Sequence, residues 1–179
     1  MSIQIALLRG INVGGKNKLP MKELAALFAK AGCTDVRTFI ASGNVVFRAP
    51  AAIAEKIPTM IAKAIAAKFS LTVPVVTRSA EELRSAVARN PFARAEENEL
   101  ALAFLAAAPS KAQIAALDPK RSPPDEFAVI GREVYLRLPN GFAKTKITNA
   151  WLDSKLGTVS TMRNWRTVQK LVELSAAQE

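Results

Sequence analysis

The sequence contains no histidine, and Cys33 is its one cysteine among 179 residues. Without histidine the chain cannot form Ser-His-Asp or Cys-His nucleophile pairs, and a zinc site would lack a usual ligand. A lone cysteine cannot form an internal disulfide. We therefore expect no metal and no cofactor. Any catalysis would depend on carboxylates, lysine, serine or backbone dipoles, and no nucleophile–base pair stands out, so binding is favoured over catalysis.

Long hydrophobic runs are also absent. No apolar stretch approaches the length of about 20 residues that spans a bilayer. The first ten residues, MSIQIALLRG, lack a basic region before the apolar run and a small-residue cleavage site after it. We interpret them as a first β-strand, and we expect a cytoplasmic protein with no membrane partner.

Acidic residues are scarce in two segments, one near each end of the chain. The net charge is +10: residues 1–48 contribute +5, residues 132–170 contribute +6, residues 49–131 contribute only +1, and the last nine residues contribute −2. If the two basic segments meet in the fold, they form one face that attracts polyanions or anionic small ligands. The alternative is a generally basic protein whose charge only aids solubility.

Apolar periodicity and turn residues predict an α+β chain of two lobes. Residues 1–78 follow the order strand, helix, strand, strand, helix, strand, which is the ferredoxin-like βαββαβ pattern. A linking helix and loop occupy residues 79–99. Residues 100–179 then give strand, helix, strand, strand, helix, helix, so the second lobe resembles the first with its last strand replaced by a helix. Half of the residues are hydrophobic, which is enough for two small cores.

The stretch LLRGINVGGKNKLPM, residues 7–21, combines an apolar strand, a glycine loop with two lysines, and a proline that opens a helix. The spacing approaches a phosphate-binding P-loop, but Asn17 stands where Ser or Thr should hold magnesium. Two interpretations remain: a simpler anion-binding loop, or glycines needed only for turns. The candidate binding residues are Arg9, Asn12, Gly14, Gly15, Lys16 and Lys18.

A second segment, RTFIASGNVVF, predicts a hairpin whose tip is Ser42-Gly43-Asn44, because Gly and Asn tolerate a positive φ. A plain turn explains these residues. The functional interpretation is a polar tip that contacts a ligand, with Arg37 nearby on the first strand. Ser42 is a weak candidate nucleophile, for which the sequence names no base.

The third segment, TVSTMRNWRTVQK, predicts a helix capped by Thr161, with Arg163, Asn164, Trp165 and Arg166 in its first turns. Cations at a helix start oppose the helix dipole, which suggests that an anion or an acid lies nearby. Trp165 could stack on a base or another flat ring. Alternatively, Trp165 belongs to the buried stripe of the helix.

These three segments resemble a bacterial family known as domain of unknown function 1697, whose members carry similar motifs in the same order. The matching motifs are IALLRGINVGGKNKLPMKEL, VRTFIASGNVVF and TMRNWRTVQKL. The resemblance extends over essentially the whole chain and implies a cytoplasmic, two-lobed α+β protein. It implies no activity and no catalytic residues.

Three functional hypotheses follow from these patterns. The first is an anion-binding protein whose basic face uses both chain ends, with nucleic acid as the first candidate ligand. The second is an enzyme acting on a phosphorylated or carboxylated small molecule in a cleft between the lobes. The third is a protein–protein interaction module or homodimer; the oligomeric state stays open. Lys144 and Lys146 are a further candidate phosphate contact.

Overall fold

The computed structural model describes residues 1–178 and shows an α+β chain that divides into two compact units. The first unit comprises Met1–Arg84 together with the C-terminal residues from Lys170, and the second comprises Ser85–Gln169. The predicted α+β class with two lobes is confirmed. The finer predicted boundaries, at 78/79 and 99/100, stay a prediction.

The first unit has the ferredoxin-like element order that the sequence predicts. The elements of this unit are β1 (Ser2–Leu8), α1 (Met21–Lys30), β2 (Thr34–Phe39), β3 (Asn44–Ala49), α2 (Ala51–Ala54), α3 (Ile57–Phe69) and β4 (Val75–Ser79). The sheet order is β2-β3-β1-β4, with every neighbouring pair antiparallel, so β2 and β4 are its edge strands.

Residues 51–69 form two helices, α2 and α3, because Pro58 occupies the first turn of α3, where its missing N–H removes no helical bond. Three isoleucines at four-residue spacing, Ile57, Ile61 and Ile65, form the buried stripe of α3. They pack in the core with β1 and β3. There the rings of Phe28 and Phe47 are tilted, with centroids 5.0 Å apart.

C-terminal residues complete the first unit. The side-chain amide of Gln178 donates a hydrogen bond to the carbonyl of Asp35 over 3.1 Å, and the Arg48 guanidinium donates to the carbonyl of Gln178. Arg48 also forms an ion pair with Asp35 over 3.3 Å. The C-terminal segment is therefore fastened to β2 and β3 of a sheet made from the start of the chain.

The second unit repeats the sheet of the first. The remaining elements of the chain are α4 (Ala80–Ala88), β5 (Leu100–Leu105), α5 (Lys111–Ala115), β6 (Glu126–Ile130), β7 (Glu133–Arg137), α6 (Asn149–Leu156), β8 (Ser160–Asn164) and α7 (Trp165–Ala176); the division between the units falls within α4 and α7. The strand order in the second sheet is β6-β7-β5-β8. The core of this unit includes Ala103 and Leu136 from the sheet and Leu152 and Leu156 from α6.

Strand β8 corrects the prediction that the second lobe lacks a final strand. Residues 160–164 pair antiparallel with β5, so the second unit also has the βαββαβ order and α7 follows it. The helix therefore begins at Trp165, not after a cap at Thr161. Its cap is Asn164, whose side-chain oxygen accepts the backbone N–H of Thr167 over 2.8 Å.

Equivalent residues of the two units correspond closely in register. Ile5 of β1 is paired with Arg78 of β4, and Leu102 of β5 is paired with Arg163 of β8. Both arginines are buried, and each donates a hydrogen bond to the carbonyl of the preceding residue. The repeat that the sequence only suggested therefore extends to the position of a buried cation on the last strand of each sheet.

Among residues 1–178, no helix is both long and apolar enough to cross a membrane.

Candidate functional site

The glycine loop between β1 and α1 is closed by the side chain of Asn12. Its amide oxygen accepts the backbone N–H of Leu19 over 2.8 Å, while its amide nitrogen donates to the carbonyls of Leu19 (2.9 Å) and Ala41 (2.8 Å). The backbone of Asn12 has a φ of 53°, in the left-handed region that Asn tolerates. Asn12 is thus a structural bracket that joins the two ends of the loop to the β2–β3 tip.

Asn17 provides a second brace within the same loop. Its side chain donates to the carbonyl of Gly10 over 2.8 Å, and its own carbonyl accepts the N–H of Asn12 over 3.1 Å. The position where a P-loop would place a magnesium-binding hydroxyl therefore carries a loop-closing amide. This geometry agrees with an anion loop or a structured turn, and it differs from a P-loop.

The tip of the loop is a tight turn with Gly14 and Gly15 at its centre. Both glycines have a positive φ, 56° and 75°, and the N–H of Lys16 closes the turn onto the carbonyl of Val13 over 2.9 Å. A Cβ at either glycine would meet nothing within 4 Å, so the turn is open to solvent. Within residues 1–178 the amide N–H groups of Gly14 and Gly15 have no hydrogen-bond acceptor.

Three predicted cations of this unit are exposed: Lys16, Lys18 and Arg37. None of them forms a salt bridge with another residue of the described chain. Arg9 is half-buried, and its backbone N–H donates to the carbonyl of Pro74 over 3.0 Å. The exposed lysines therefore flank the open N–H groups of the turn.

The hairpin tip is joined to the loop at Gly43. The N–H of Leu8 donates to the carbonyl of Gly43 over 2.8 Å, and Gly43 has a φ of 88°. Asn44 is buried, and its amide donates to the carbonyl of Phe39 (3.0 Å) and to the hydroxyl of Ser42 (3.1 Å). The side-chain amide of Asn44 is thus used inside the protein, which favours the structural interpretation of this residue.

Ile40, at the same tip, holds a backbone conformation that β-branched residues avoid. Its φ is 50° and its side chain is 51% exposed. We expect Ile40→Asn to raise the free energy of unfolding by about 1 kcal/mol, because Asn accepts this conformation at lower cost. Urea titration measures the change. Ile40→Val is the matched control, since it keeps the β-branch; equal stability of the two variants would contradict the strain.

The third motif does not have the geometry that its sequence suggested. Arg163 lies on β8, not at a helix start, and is only 8% exposed. Its guanidinium donates to the hydroxyl of Thr161 and to the carbonyl of Met162, each over 2.9 Å, and burial lowers its pKa to about 10. The argument from an uncompensated cation at a helix N-terminus is therefore wrong for Arg163.

Trp165 and its two neighbours in the sequence have different surroundings. The side chain of Trp165 is 6% exposed, which favours the buried-stripe interpretation over stacking on a ligand. Asn164 is used as the cap of α7, and Arg166 is exposed. The structure joins the first two motifs within the first unit, whereas this third motif lies in the second unit.

Sequence reasoning missed two groups. Arg78 is fully buried on β4, and no local feature of the sequence distinguishes it. Its match with Arg163 becomes visible only in the strand register of the structure. The second unit also has a cavity of about 510 Å³ that contains Phe92, Arg94 and Arg137, and none of its lining residues was predicted. Arg137 is held there by Glu99 (2.9 Å) and Glu126 (2.8 Å). Among residues 1–178, no group of three His, Cys, Asp or Glu could hold a metal.

Comparisons with known proteins identify the family and the fold. The sequence profile of the family described as "Protein of unknown function (DUF1697)" matches residues 1–135, which confirms the resemblance; the third motif lies beyond the match. A solved structure, "The structure of conserved bacterial protein SP0830 from Streptococcus pneumoniae", is similar, with a TM-score of 0.68 and 22% identity over 97% of this chain and 98% of that one. At this identity the likeness shows the fold alone. No curated protein matches the chain.

Proposed function

We propose, for a chain that belongs to the DUF1697 family, that the loop over residues 10–18 binds an anionic ligand, with nucleic acid as the first candidate. One observation carries the proposal: the Gly14-Gly15 turn presents two N–H groups without an acceptor in residues 1–178, beside exposed Lys16 and Lys18 that form no ion pair there. Open backbone N–H groups and nearby ammonium groups are what phosphate oxygens bind.

The rigidity of the loop supports the same function. Asn12 and Asn17 fix the backbone through side-chain bonds, so the turn need not be ordered when a ligand arrives. Preorganisation lowers the entropic cost of binding. The ligand contacts are accordingly the backbone of Gly14 and Gly15 and the side chains of Lys16 and Lys18, whereas Asn12 and Asn44 are supporting residues.

Fluorescence anisotropy across a salt series tests the proposal. The labelled ligands are single-stranded RNA, single-stranded DNA and duplex DNA. The double variant Lys16→Ala/Lys18→Ala should weaken single-strand binding on the order of tenfold and lower the salt slope by about 1.4, since each lysine that neutralises a phosphate contributes about 0.7 to that slope. The control, Lys56→Ala/Lys63→Ala, removes two lysines of the α2–α3 segment and should change neither quantity.

Two results would count against nucleic acid as the ligand of this loop. If the double variant and its control have the same salt slope, the loop does not contact phosphates. If inorganic pyrophosphate at low concentration binds the wild-type protein at this loop and no oligonucleotide binds, the ligand is a small anion rather than a polymer.

A further inference from the structure

We infer that the second unit carries its own binding surface for single-stranded nucleic acid, which we call the C-terminal basic patch. It is formed by the loop over residues 118–125 and the loop over residues 139–148. The patch lies in a different unit from the glycine loop and does not depend on it. Its cations are Lys120, Arg121, Lys144 and Lys146, all of them exposed.

Hydrogen bonds hold the two loops of the patch together. The Nε of Arg121 donates to the carbonyl of Lys146 over 3.3 Å, and the N–H of Lys146 donates to the hydroxyl of Ser122 over 3.0 Å. That hydroxyl in turn donates to the buried carboxylate of Asp125 over 2.7 Å. Side chains that are far apart in sequence are therefore brought side by side on a fixed backbone.

The two loops of the patch carry a net charge of +2, from four cations and the two acids Asp118 and Asp125. None of its four cations forms a salt bridge within residues 1–178. Of the two acids in the same loops, Asp125 is buried and its carboxylate accepts the hydroxyl of Ser122. Asp118 is exposed, and its carboxylate accepts the backbone N–H of Lys120 over 2.9 Å. A cluster with this excess attracts a polyanion.

Aromatic rings lie among these cations. The guanidinium of Arg121 lies 5.7 Å from the ring centroid of Trp151, and Trp151 meets Phe127 edge-on at 6.0 Å. The ring thereby positions Arg121 as a planar cation on the surface. Phe142, in the second loop of the patch, leaves 42% of its side chain exposed between Gly141 and the lysines.

The combination of exposed cations and an exposed aromatic ring favours single-stranded nucleic acid as the partner. Lysines match phosphates along a backbone, and an exposed aromatic side chain offers a stacking surface to a base. Stacking on Phe142 requires an unpaired base, so a single strand fits better than a duplex. An acidic protein segment would use the charges but would gain nothing comparable from the exposed ring.

Binding of a labelled oligouridylate of about 20 nucleotides, long enough for one site, tests the inference. Lys120→Gln/Lys144→Gln/Lys146→Gln should raise the Kd on the order of tenfold and lower the salt slope by about 2. The control, Lys56→Gln/Lys63→Gln/Lys155→Gln, removes the same charge from positions outside the patch and should leave the slope unchanged. Phe142→Ala should weaken binding with an unchanged slope.

Three other outcomes would overturn the inference. Equal effects of the patch variant and its control would mean that only net charge matters. Displacement of the oligouridylate by polyglutamate at equal charge would identify an acidic protein as the partner. If Lys16→Ala/Lys18→Ala loses binding and the patch variant does not, this inference fails while the loop proposal stands. If the patch variant loses binding and Lys16→Ala/Lys18→Ala does not, this inference stands and the loop proposal fails.

Discussion

Gly43→Ala lowers the free energy of unfolding by about 3 kcal/mol, the sum of a left-handed backbone forced on alanine and overpacking of a filled site. Gly43 has a φ of 88°, and a Cβ there would lie 2.8 Å from the Cβ of Leu8 and 2.8 Å from the Cδ1 of Ile11. Leu8 and Ile11 are both core residues, so neither can move away freely. Urea denaturation followed by circular dichroism measures the change.

Gly14→Ala is the matched control for this prediction. Gly14 also has a positive φ, but a Cβ there meets nothing within 4 Å. Only the backbone strain applies, so we expect a decrease of about 1 kcal/mol in the free energy of unfolding. Similar decreases at both positions would show that the contact between the hairpin tip and the glycine loop is less crowded than the structure indicates.

Asn12→Ala is the second large effect, with an expected decrease of about 4 kcal/mol in the free energy of unfolding, from three hydrogen bonds at about 1 kcal/mol each and about 1 kcal/mol for alanine at a φ of 53°. The bonds join Leu19 on one side of the loop and Ala41 on the other, so removing them frees the loop as well as the tip. The same variant should weaken oligonucleotide binding although it removes no charge, with little change in salt slope. Thermal and urea unfolding together with anisotropy measure these effects.

Asn17→Ala separates loop fixation from a general effect of replacing an asparagine. Asn17 has a similar φ of 50° but donates one side-chain bond, to the carbonyl of Gly10. We therefore expect a decrease of about 2 kcal/mol in the free energy of unfolding, about 1 kcal/mol for the bond and about 1 kcal/mol for alanine at this φ. If Asn12→Ala were no more harmful than Asn17→Ala, the bracket role of Asn12 would be wrong.

The first sheet could be predicted from sequence because local patterns point to it directly. The isoleucine stripe of α3 has helical spacing, and Ser42-Gly43-Asn44 is turn chemistry between two β-branched runs. Strand β8 could not be predicted in this way. Its residues, STMRN, are mostly polar, and Ser160 is accommodated in the interior because Asp153 accepts its N–H and its hydroxyl, each over 2.7 Å. Nothing local distinguishes that strand from a helix cap.

The candidate site could be predicted only where its features are local in the sequence. The exposed lysines of the glycine loop were predictable, because their charge and the glycines around them are local features. The bracket role of Asn12 was not, since its partner Ala41 lies 29 residues away. The error at Arg163 has the same origin as the missed strand: its position opposite buried Leu102 depends on the pairing of β8 with β5, two strands far apart in sequence.

The fastening of Gln178 to Asp35 and Arg48 has a consequence for how the protein is made. The polypeptide leaves the ribosome from its N-terminus, yet the first unit includes the segment from Lys170, which is synthesised after the whole second unit. All four strands of the first sheet are synthesised before the second unit, so that sheet can form early, but it gains the contacts of the late segment only after the second unit has been made. A nascent chain stalled before Lys170 would therefore hold a complete first sheet without the hydrogen bonds that join Gln178 to Asp35 and Arg48.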